Sequence, residues 1–236
     1  MKRRRVVITC EHGGNDIPAA YRSCFKGHEA ALESHRGHDA GALALARDLA
    51  AMCRAPLVYS TISRLLVELN RSPGHPRLYS DITRVLPDDE KRELYSKYYL
   101  PYREKVERSI LAALRACERV VHVSSHSFTP VLDGEARNAD IGLLYDPSRA
   151  PERRLCLAWQ AALQKAGPGL VVRRNYPYRG TSDGLTTHLR RHFPAPQYTG
   201  IEIEVNQKHS AGSARHWATL RKAIADAFQA ALKSDA

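Results

Sequence analysis

VVHVSSHS, residues 120–127, contains the two features that decide the predicted fold. The segment begins as an apolar, β-branched run typical of a buried strand and ends in serine and histidine. Runs of this kind predict strands over residues 6–10, 56–60, 120–124, 141–145, 170–173 and 201–205. In open α/β folds ligands bind beyond the carboxyl ends of the strands, so polar side chains at those ends are candidate site residues.

Helical patterns occupy the intervals 40–53, 88–117, 151–166 and 213–232. Alternation of strands and helices is typical of an α/β domain. We therefore predict a three-layer α/β/α sandwich with a mixed, mostly parallel sheet, built as one domain over residues 1–236. Two long polar loops, 71–87 and 174–184, have the composition of site-forming segments above such a sheet.

The composition argues against a membrane protein, a disulfide-rich protein and a cysteine-based zinc site. No run approaches the ~20 apolar residues of a membrane helix, and the start of the chain lacks a long apolar signal region, so we expect a cytoplasmic protein without a membrane partner. Five scattered cysteines without a Cys-x-x-Cys pair argue against a disulfide framework or a thiolate zinc site. A homo-oligomer is compatible with the sequence.

The formal charge of +11 would suit nucleic acid. The basic residues, however, are spread among acids, and aromatic residues make up only 7% of the chain, so their distribution argues against that partner. The positive charge fits equally well with attraction of a small dianionic substrate or with solubility alone.

Two histidines lie where predicted strands end. His12 follows the first strand and precedes two glycines, which would let the backbone turn closely around a bound group. Period-two alternation places His122, Ser124 and His126 on one face of the third strand, with His126 outermost. If the two strands are neighbours, His12 and His126 converge on one site. A histidine that only hydrogen-bonds to its own strand end is the competing interpretation.

Asp39 directly precedes an apolar helix, where aspartate commonly accepts the first-turn amide hydrogen bonds. It could also bind a metal. Two histidines and one carboxylate leave the open coordination position that catalytic zinc requires. His12, Asp39 and His126 are therefore the candidate ligands of a divalent metal, with zinc preferred.

Glu202, Glu204 and Asn206 share one face of the last predicted strand. Two carboxylates are costly to bury on an apolar strand without partners, so an edge strand with one acid facing solvent is one interpretation. The alternative assigns Glu204, nearest the carboxyl end, as a general base that acts on water at the metal.

Several loop residues could hold an acidic substrate. Arginine grips a carboxylate with a planar pair of N–H donors, and asparagine adds a hydrogen bond. Any single arginine of this kind is more often a solvated surface residue than a ligand-binding one. The candidate substrate-binding residues are Arg64, Asn70, Arg71, Arg137, Asn175, Tyr178, Arg179 and Asn206.

Taken in order, these segments resemble the N-formylglutamate amidohydrolase family, which is related to zinc carboxypeptidases and to the aspartoacylase and succinylglutamate desuccinylase enzymes. The resemblance extends over nearly the whole chain. It rests on the His-Gly-Gly turn at His12 and on residues 38–42, 69–71, 98–102, 125–127, 141–145, 175–180 and 204–206.

The resemblance implies a zinc-carboxypeptidase-like fold and hydrolysis of the N-formyl, or another small N-acyl, amide of glutamate or a related acidic amino acid. In the carboxypeptidase-like relatives a His-x-x-Glu pair and a later histidine hold zinc. Here Asn15, a weaker ligand than glutamate, stands three residues after His12, so we propose Asp39 as the replacement carboxylate, with Asn15 as the alternative third ligand.

The family likeness also implies roles in catalysis. The general base of the relatives corresponds to Glu204, and their Asn-Arg pair for the substrate carboxylate corresponds to Asn70 and Arg71. Arg71 would either stabilise the developing oxyanion or grip a carboxylate. Arg137 and Arg179 are candidates for a second carboxylate.

Two other functions stay open at this stage. The same site could cleave another N-acyl amino acid or a small peptide amide, because loops decide substrate choice. A basic, non-catalytic nucleic-acid-binding protein is the second alternative.

Overall fold

Residues 4–234, which the computed structural model describes, form eight strands. These are β1 (Arg4–Cys10), β2 (Leu57–Tyr59), β3 (Arg119–Phe128), β4 (Val131–Leu132), β5 (Glu135–Ala136), β6 (Ile141–Leu144), β7 (Val172–Arg174) and β8 (Tyr198–Asn206). Six of them make one sheet in the order β2-β1-β3-β8-β6-β7, while β4 and β5 form a separate hairpin. Every predicted strand is present, with shifted ends.

The helices within the described residues begin with a 3-10 helix, Ala19–Phe25, followed by α1 (Glu29–Glu33) and α2 (Ala42–Cys53). A long helix comprises α3 (Asp88–Leu94), a π-helical turn (Tyr95–Tyr99) and α4 (Leu100–Ala116). Pro101 lies two residues after the π-helical turn and has no amide hydrogen for a regular helical bond. The remaining helices are α5 (Ala150–Ala166), α6 (Leu185–His192) and α7 (Ala214–Ser234).

The sheet is mixed and mostly parallel. Strands β2, β1, β3 and β8 run parallel to one another, β6 pairs antiparallel with β8, and β7 runs parallel to β6. This confirms the predicted α/β architecture. Since β8 is paired on both sides, the interpretation of Glu202 and Glu204 as acids on an edge strand is wrong.

Two apolar layers cover the sheet. On one face Ile8, Val121 and Ile203 pack with α2, α5 and α7, where the Trp159 and Phe228 ring centroids lie 4.5 Å apart. The opposite face, covered by α4 and α6, buries a second cluster that includes Tyr198. Because both faces are covered, the carboxyl ends of the strands are the places where polar side chains can reach solvent. Within residues 4–234 we find no helix with the length and apolarity needed to cross a membrane.

Candidate active site

The carboxyl ends of β1, β3 and β8 deliver three of the predicted residues to one place. Strand β1 lies beside β3, which meets the condition for His12 and His126 to converge. In the parallel pairing of β3 with β8, His126 lies opposite Glu204. Strand β3 is longer than predicted because its polar end, up to Phe128, stays paired with β8.

The glycines after His12 let a neighbouring segment approach the end of β1 closely. Gly13 donates its N–H to the Ser60 carbonyl at 3.0 Å, and a Cβ atom on Gly13 would lie 2.8 Å from that same oxygen. A Cβ atom on Gly14 would lie 2.7 Å from the Thr61 carbonyl oxygen. These two residues therefore admit the backbone of residues 60–61, which holds the end of β1 in place.

His12, Asp39 and His126 form a compact buried group. Asp39 Oδ2 lies 3.3 Å from His12 Nδ1 and 2.9 Å from His126 Nδ1. One nitrogen or oxygen of each residue lies within 4.8 Å of the others, and each residue is at most 4% exposed. The spacing and donor types could hold one metal ion.

Asp39 reaches this group from the segment before α2. Its backbone N–H donates to the His12 carbonyl at 3.0 Å, which ties the segment to the end of β1. The N-cap of α2 is Gly41, with a φ of 85°, and no side chain caps the helix. The capping alternative for Asp39 is therefore wrong, because its carboxylate faces the histidines.

Two buried glutamates complete the histidine environment, and sequence reasoning missed both. His12 Nε2 hydrogen-bonds to Glu68 Oε1. His126 Nε2 lies 3.0 Å from Glu11 Oε2 and 2.8 Å from Ser124 Oγ. A carboxylate on the far nitrogen of a histidine is the usual support of a metal ligand.

The charges of the group match a divalent cation. Asp39, Glu68 and Glu11 supply three carboxylates, and Arg64 supplies one guanidinium that contacts the first two. With both imidazoles in the neutral form in which histidine binds a metal, the group carries two net negative charges. Burial by itself would lower the pKa of His126, but hydrogen bonds from its ring to Asp39 and Glu11 and the negative charges of these two carboxylates together outweigh burial and raise the pKa.

Glu204 has the environment of a proton-transfer group. It is 6% exposed, and its Oε2 is a buried oxygen with no hydrogen-bond partner among the described residues. Burial is the main reason that the pKa of Glu204 is raised to about 8, with His126 opposing the rise and Asp39 adding to it. A carboxylate with a free oxygen and a pKa near neutrality can both take up and release a proton.

A cleft of about 290 Å³ opens above this group. It brings together all three predicted ligands, the predicted base and five of the eight predicted substrate residues, with five further polar or charged residues and a leucine that were not among the predicted site residues. Its lining comprises His12, Asp39, Arg64, Asn70, Arg71, Arg77, His126, Ser127, Leu132, Tyr178, Arg179, Ser182, Asp183, Glu202 and Glu204.

Three predicted substrate residues line the cleft with polar groups that a ligand could meet. Arg71 Nη1 donates to the Asp183 carbonyl, which holds the side chain across the cleft. Asn70 Oδ1 accepts the Leu185 N–H at 2.7 Å, so its amide nitrogen remains a donor. Arg179 lies exposed at the same cleft.

Arg64 lines the cleft but is already paired. Its Nε donates to Glu68 Oε2 at 2.8 Å and its Nη1 to Asp39 Oδ1 at 3.2 Å. Arg64 therefore pairs with the candidate metal-binding group and has little capacity left to bind a substrate carboxylate.

Two predicted asparagines have their amide groups occupied elsewhere. Asn206 donates to the carbonyls of Arg137 and Ala139 and lies outside the cleft. Asn175 Oδ1 accepts two backbone N–H groups at 3.0 Å, from Tyr145 and Gly180, and thereby shapes the loop. Backbone groups nearby therefore occupy the side-chain amide atoms of these two asparagines that would otherwise bind a substrate.

Arg137 and Tyr178 contact each other at the rim. Arg137 Nη1 donates to the Tyr178 phenol oxygen at 3.0 Å, and its guanidinium lies 5.1 Å from the ring centroid. Tyr178 lines the cleft, whereas Arg137 does not. Arg137 thus supports Tyr178 from outside.

Solved structures resemble this chain along its whole length. A gene product of Agrobacterium tumefaciens is 32% identical, with a TM-score of 0.83 over 99% of this chain and 92% of the other. The N-formylglutamate amidohydrolase of Ralstonia eutropha JMP134 is 18% identical, with a TM-score of 0.71 over 98% of this chain and 94% of the other.

No curated protein matches the chain at a significant level. The family model for N-formylglutamate amidohydrolase, in contrast, matches residues 4–210 and so includes every strand of the sheet and all the candidate site residues. The chain belongs to the N-formylglutamate amidohydrolase family.

Proposed function

We propose that this protein is a metal-dependent hydrolase that cleaves the N-formyl, or another small N-acyl, amide of glutamate or a related acidic amino acid. The observation that carries the proposal is the meeting of His12, Asp39 and His126 beside a buried carboxylate, Glu204, with one free oxygen. Membership of an amidohydrolase family supports amide hydrolysis as the reaction.

His12, Asp39 and His126 would hold the metal, for which zinc suits two imidazoles and one carboxylate. When bound, such an ion polarises the acyl carbonyl and brings the pKa of a bound water from about 15.7 to near 7. Arg64 holds Asp39 Oδ1 at 3.2 Å, which directs Oδ2 toward the histidines.

Glu204 is the proposed general base. Its buried Oε2, which has no hydrogen-bond partner among the described residues, is free to take a proton from the attacking water and then to pass that proton to the leaving amine. Its position opposite His126 supports this role, because residues paired across parallel strands lie about 5 Å apart.

The cationic side of the cleft suits a substrate with carboxylates. Arg71, Arg77 and Arg179 line it, and none of them takes part in the ligand group. The Arg71 side chain is fixed by its hydrogen bond to the Asp183 carbonyl. Arg71 is therefore our candidate for binding a substrate carboxylate or for stabilising the developing oxyanion. The cleft, at about 290 Å³, lies at the lower limit of ligand pockets, which favours a single amino acid over a peptide.

The decisive experiment combines metal analysis with substrate comparison. Protein purified without chelator should contain close to one equivalent of a divalent metal, and removing the metal should abolish activity. Formate release from N-formylglutamate should be measured beside the hydrolysis of N-acetylglutamate, N-succinylglutamate and N-formylleucine.

Each outcome has a separate meaning. Preference for N-formylglutamate supports the full proposal. Preference for another acyl group on glutamate preserves the reaction and changes the acyl group. A protein that neither contains nor takes up a divalent metal would refute the proposed chemistry.

A further inference from the structure

We propose that Glu11 and Glu68 are positioning residues that fix the tautomer of the two candidate metal-binding histidines, so that each ring presents Nδ1 to the metal. The inference rests on the proposed metal-dependent function and adds two residues that the proposed reaction does not itself require. Neither glutamate lines the cleft, so neither is placed to touch a substrate.

Glu68 is held firmly against His12. Its Oε1 contacts His12 Nε2 and also accepts the Asn70 backbone N–H at 3.0 Å. Its Oε2 accepts Arg64 Nε at 2.8 Å. Because both carboxylate oxygens are engaged and the residue is 6% exposed, Glu68 cannot turn away from the ring.

Glu11 contacts the Nε2 atom of His126 in the same way, from the interior of the protein. The residue is fully buried, and its Oε2 lies 3.0 Å from His126 Nε2. Ser124 Oγ donates to that oxygen and lies 2.8 Å from the same ring nitrogen. The Tyr102 hydroxyl donates to Oε1 at 2.8 Å, so the carboxylate is fixed at both ends.

These contacts decide which ring nitrogen carries the proton. A ring nitrogen that faces a carboxylate oxygen must carry a hydrogen, since two lone pairs would otherwise repel each other. A neutral imidazole with hydrogen on Nε2 keeps its lone pair on Nδ1. In both His12 and His126, Nδ1 faces Asp39 Oδ2, so by the same rule a hydrogen also lies in that contact in the metal-free protein. Asp39 is itself a candidate ligand, so a bound metal ion would replace that hydrogen, whereas Glu11 and Glu68 lie outside the candidate ligand group and keep the hydrogen on Nε2. Two carboxylates in unrelated segments thus impose the same tautomer on both rings.

The first test measures metal affinity rather than activity. Zinc dissociation constants should be determined by competition with a chelator for the wild type, Glu11→Gln, Glu68→Gln and the corresponding alanine variants. Loss of such an outer carboxylate typically weakens metal binding by about 10- to 100-fold, and we expect this for each glutamine variant and a larger loss for alanine.

The matched control is Glu152→Gln. Glu152 is also a fully buried carboxylate, but it accepts hydrogen bonds from Arg190 Nε at 3.0 Å and from the Gly200 N–H at 3.1 Å, away from the cleft. This variant should lose stability and keep the zinc affinity of the wild type. Zinc affinities within about twofold of the wild type in both folded Glu11 and Glu68 variants would overturn the inference.

A second measurement needs no variant. In the zinc-loaded wild-type protein, long-range ¹H–¹⁵N spectra of the imidazoles should show two metal-bound rings with the proton on Nε2. Protons on Nδ1 in these rings would overturn the inference even if the variants fail to fold. A wild type that binds no zinc would instead refute the proposed function, and this inference with it.

Discussion

His126 lies directly opposite Glu204 in the parallel pairing of β3 with β8. This register places a candidate metal ligand and the proposed base on adjacent strands with their side chains on the same face of the sheet. A shift of either strand by one residue would move one of the two side chains to the opposite face, among α2, α5 and α7.

Replacing Glu204 with glutamine should stop turnover and leave metal binding intact. The amide is nearly isosteric but cannot accept a proton, and loss of a general base typically costs about 10²- to 10⁴-fold in rate. The measurement is kcat for the best substrate together with metal content. Activity near the wild-type level would remove Glu204 from the mechanism.

Replacing His126 with alanine should remove both metal and activity, because the change leaves two of the three candidate ligands. Elemental analysis and an activity assay on the same preparation test this. His192→Ala is the control, since His192 is exposed on α6 and lies outside the cleft. Full metal occupancy in the His126 variant would contradict the ligand assignment.

Arg71→Ala should lower kcat/KM by about 10- to 100-fold, the usual cost of losing a hydrogen bond between charged groups. A rise in KM alone would indicate that Arg71 binds a substrate carboxylate, whereas a fall in kcat would indicate stabilisation of the oxyanion. Arg137→Ala, whose guanidinium supports Tyr178 from outside the cleft, should have a smaller effect. An equal loss in both variants would argue against this distinction.

Acid should destabilise the metal-free protein partly through His122. Burial lowers the pKa of His122 from 6.5 to about 4, while its ring contacts Thr9 Oγ1 at 2.9 Å and the Tyr198 phenol oxygen at 2.7 Å. Between these two pKa values the unfolded chain binds the proton and the folded protein does not. The stability contributed by neutral His122 is therefore complete above pH 6.5 and is lost as the pH falls toward 4.

The size of that effect follows from the shift, at about 3 kcal/mol for this fully buried ring. Chemical denaturation of chelator-treated protein at several pH values should show a steeper loss in the wild type than in His122→Gln. Parallel pH profiles for the two proteins would contradict the assignment of a neutral His122.

The sequence indicated the layered α/β fold and the residues at strand ends. Apolar periodicity is a local property, so the strands could be placed before their partners were known. His12, His126 and Glu204 each follow or end such a run, and the carboxyl ends of adjacent parallel strands necessarily meet. Helix α6 was missed because six of its eight residues, Leu185–His192, are polar and because it follows a loop-like segment.

Only the tertiary structure determined which buried polar groups pair with each other. Glu11 meets His126 from 115 residues away and Glu68 meets His12 from 56 residues away, and no local pattern marks either pairing. Asn206 and Asn175 were predicted to bind substrate through their side-chain amides, but those amides hydrogen-bond to nearby backbone groups. A buried polar atom takes whichever partner the packed chain brings within about 3 Å, and only the folded arrangement determines that partner.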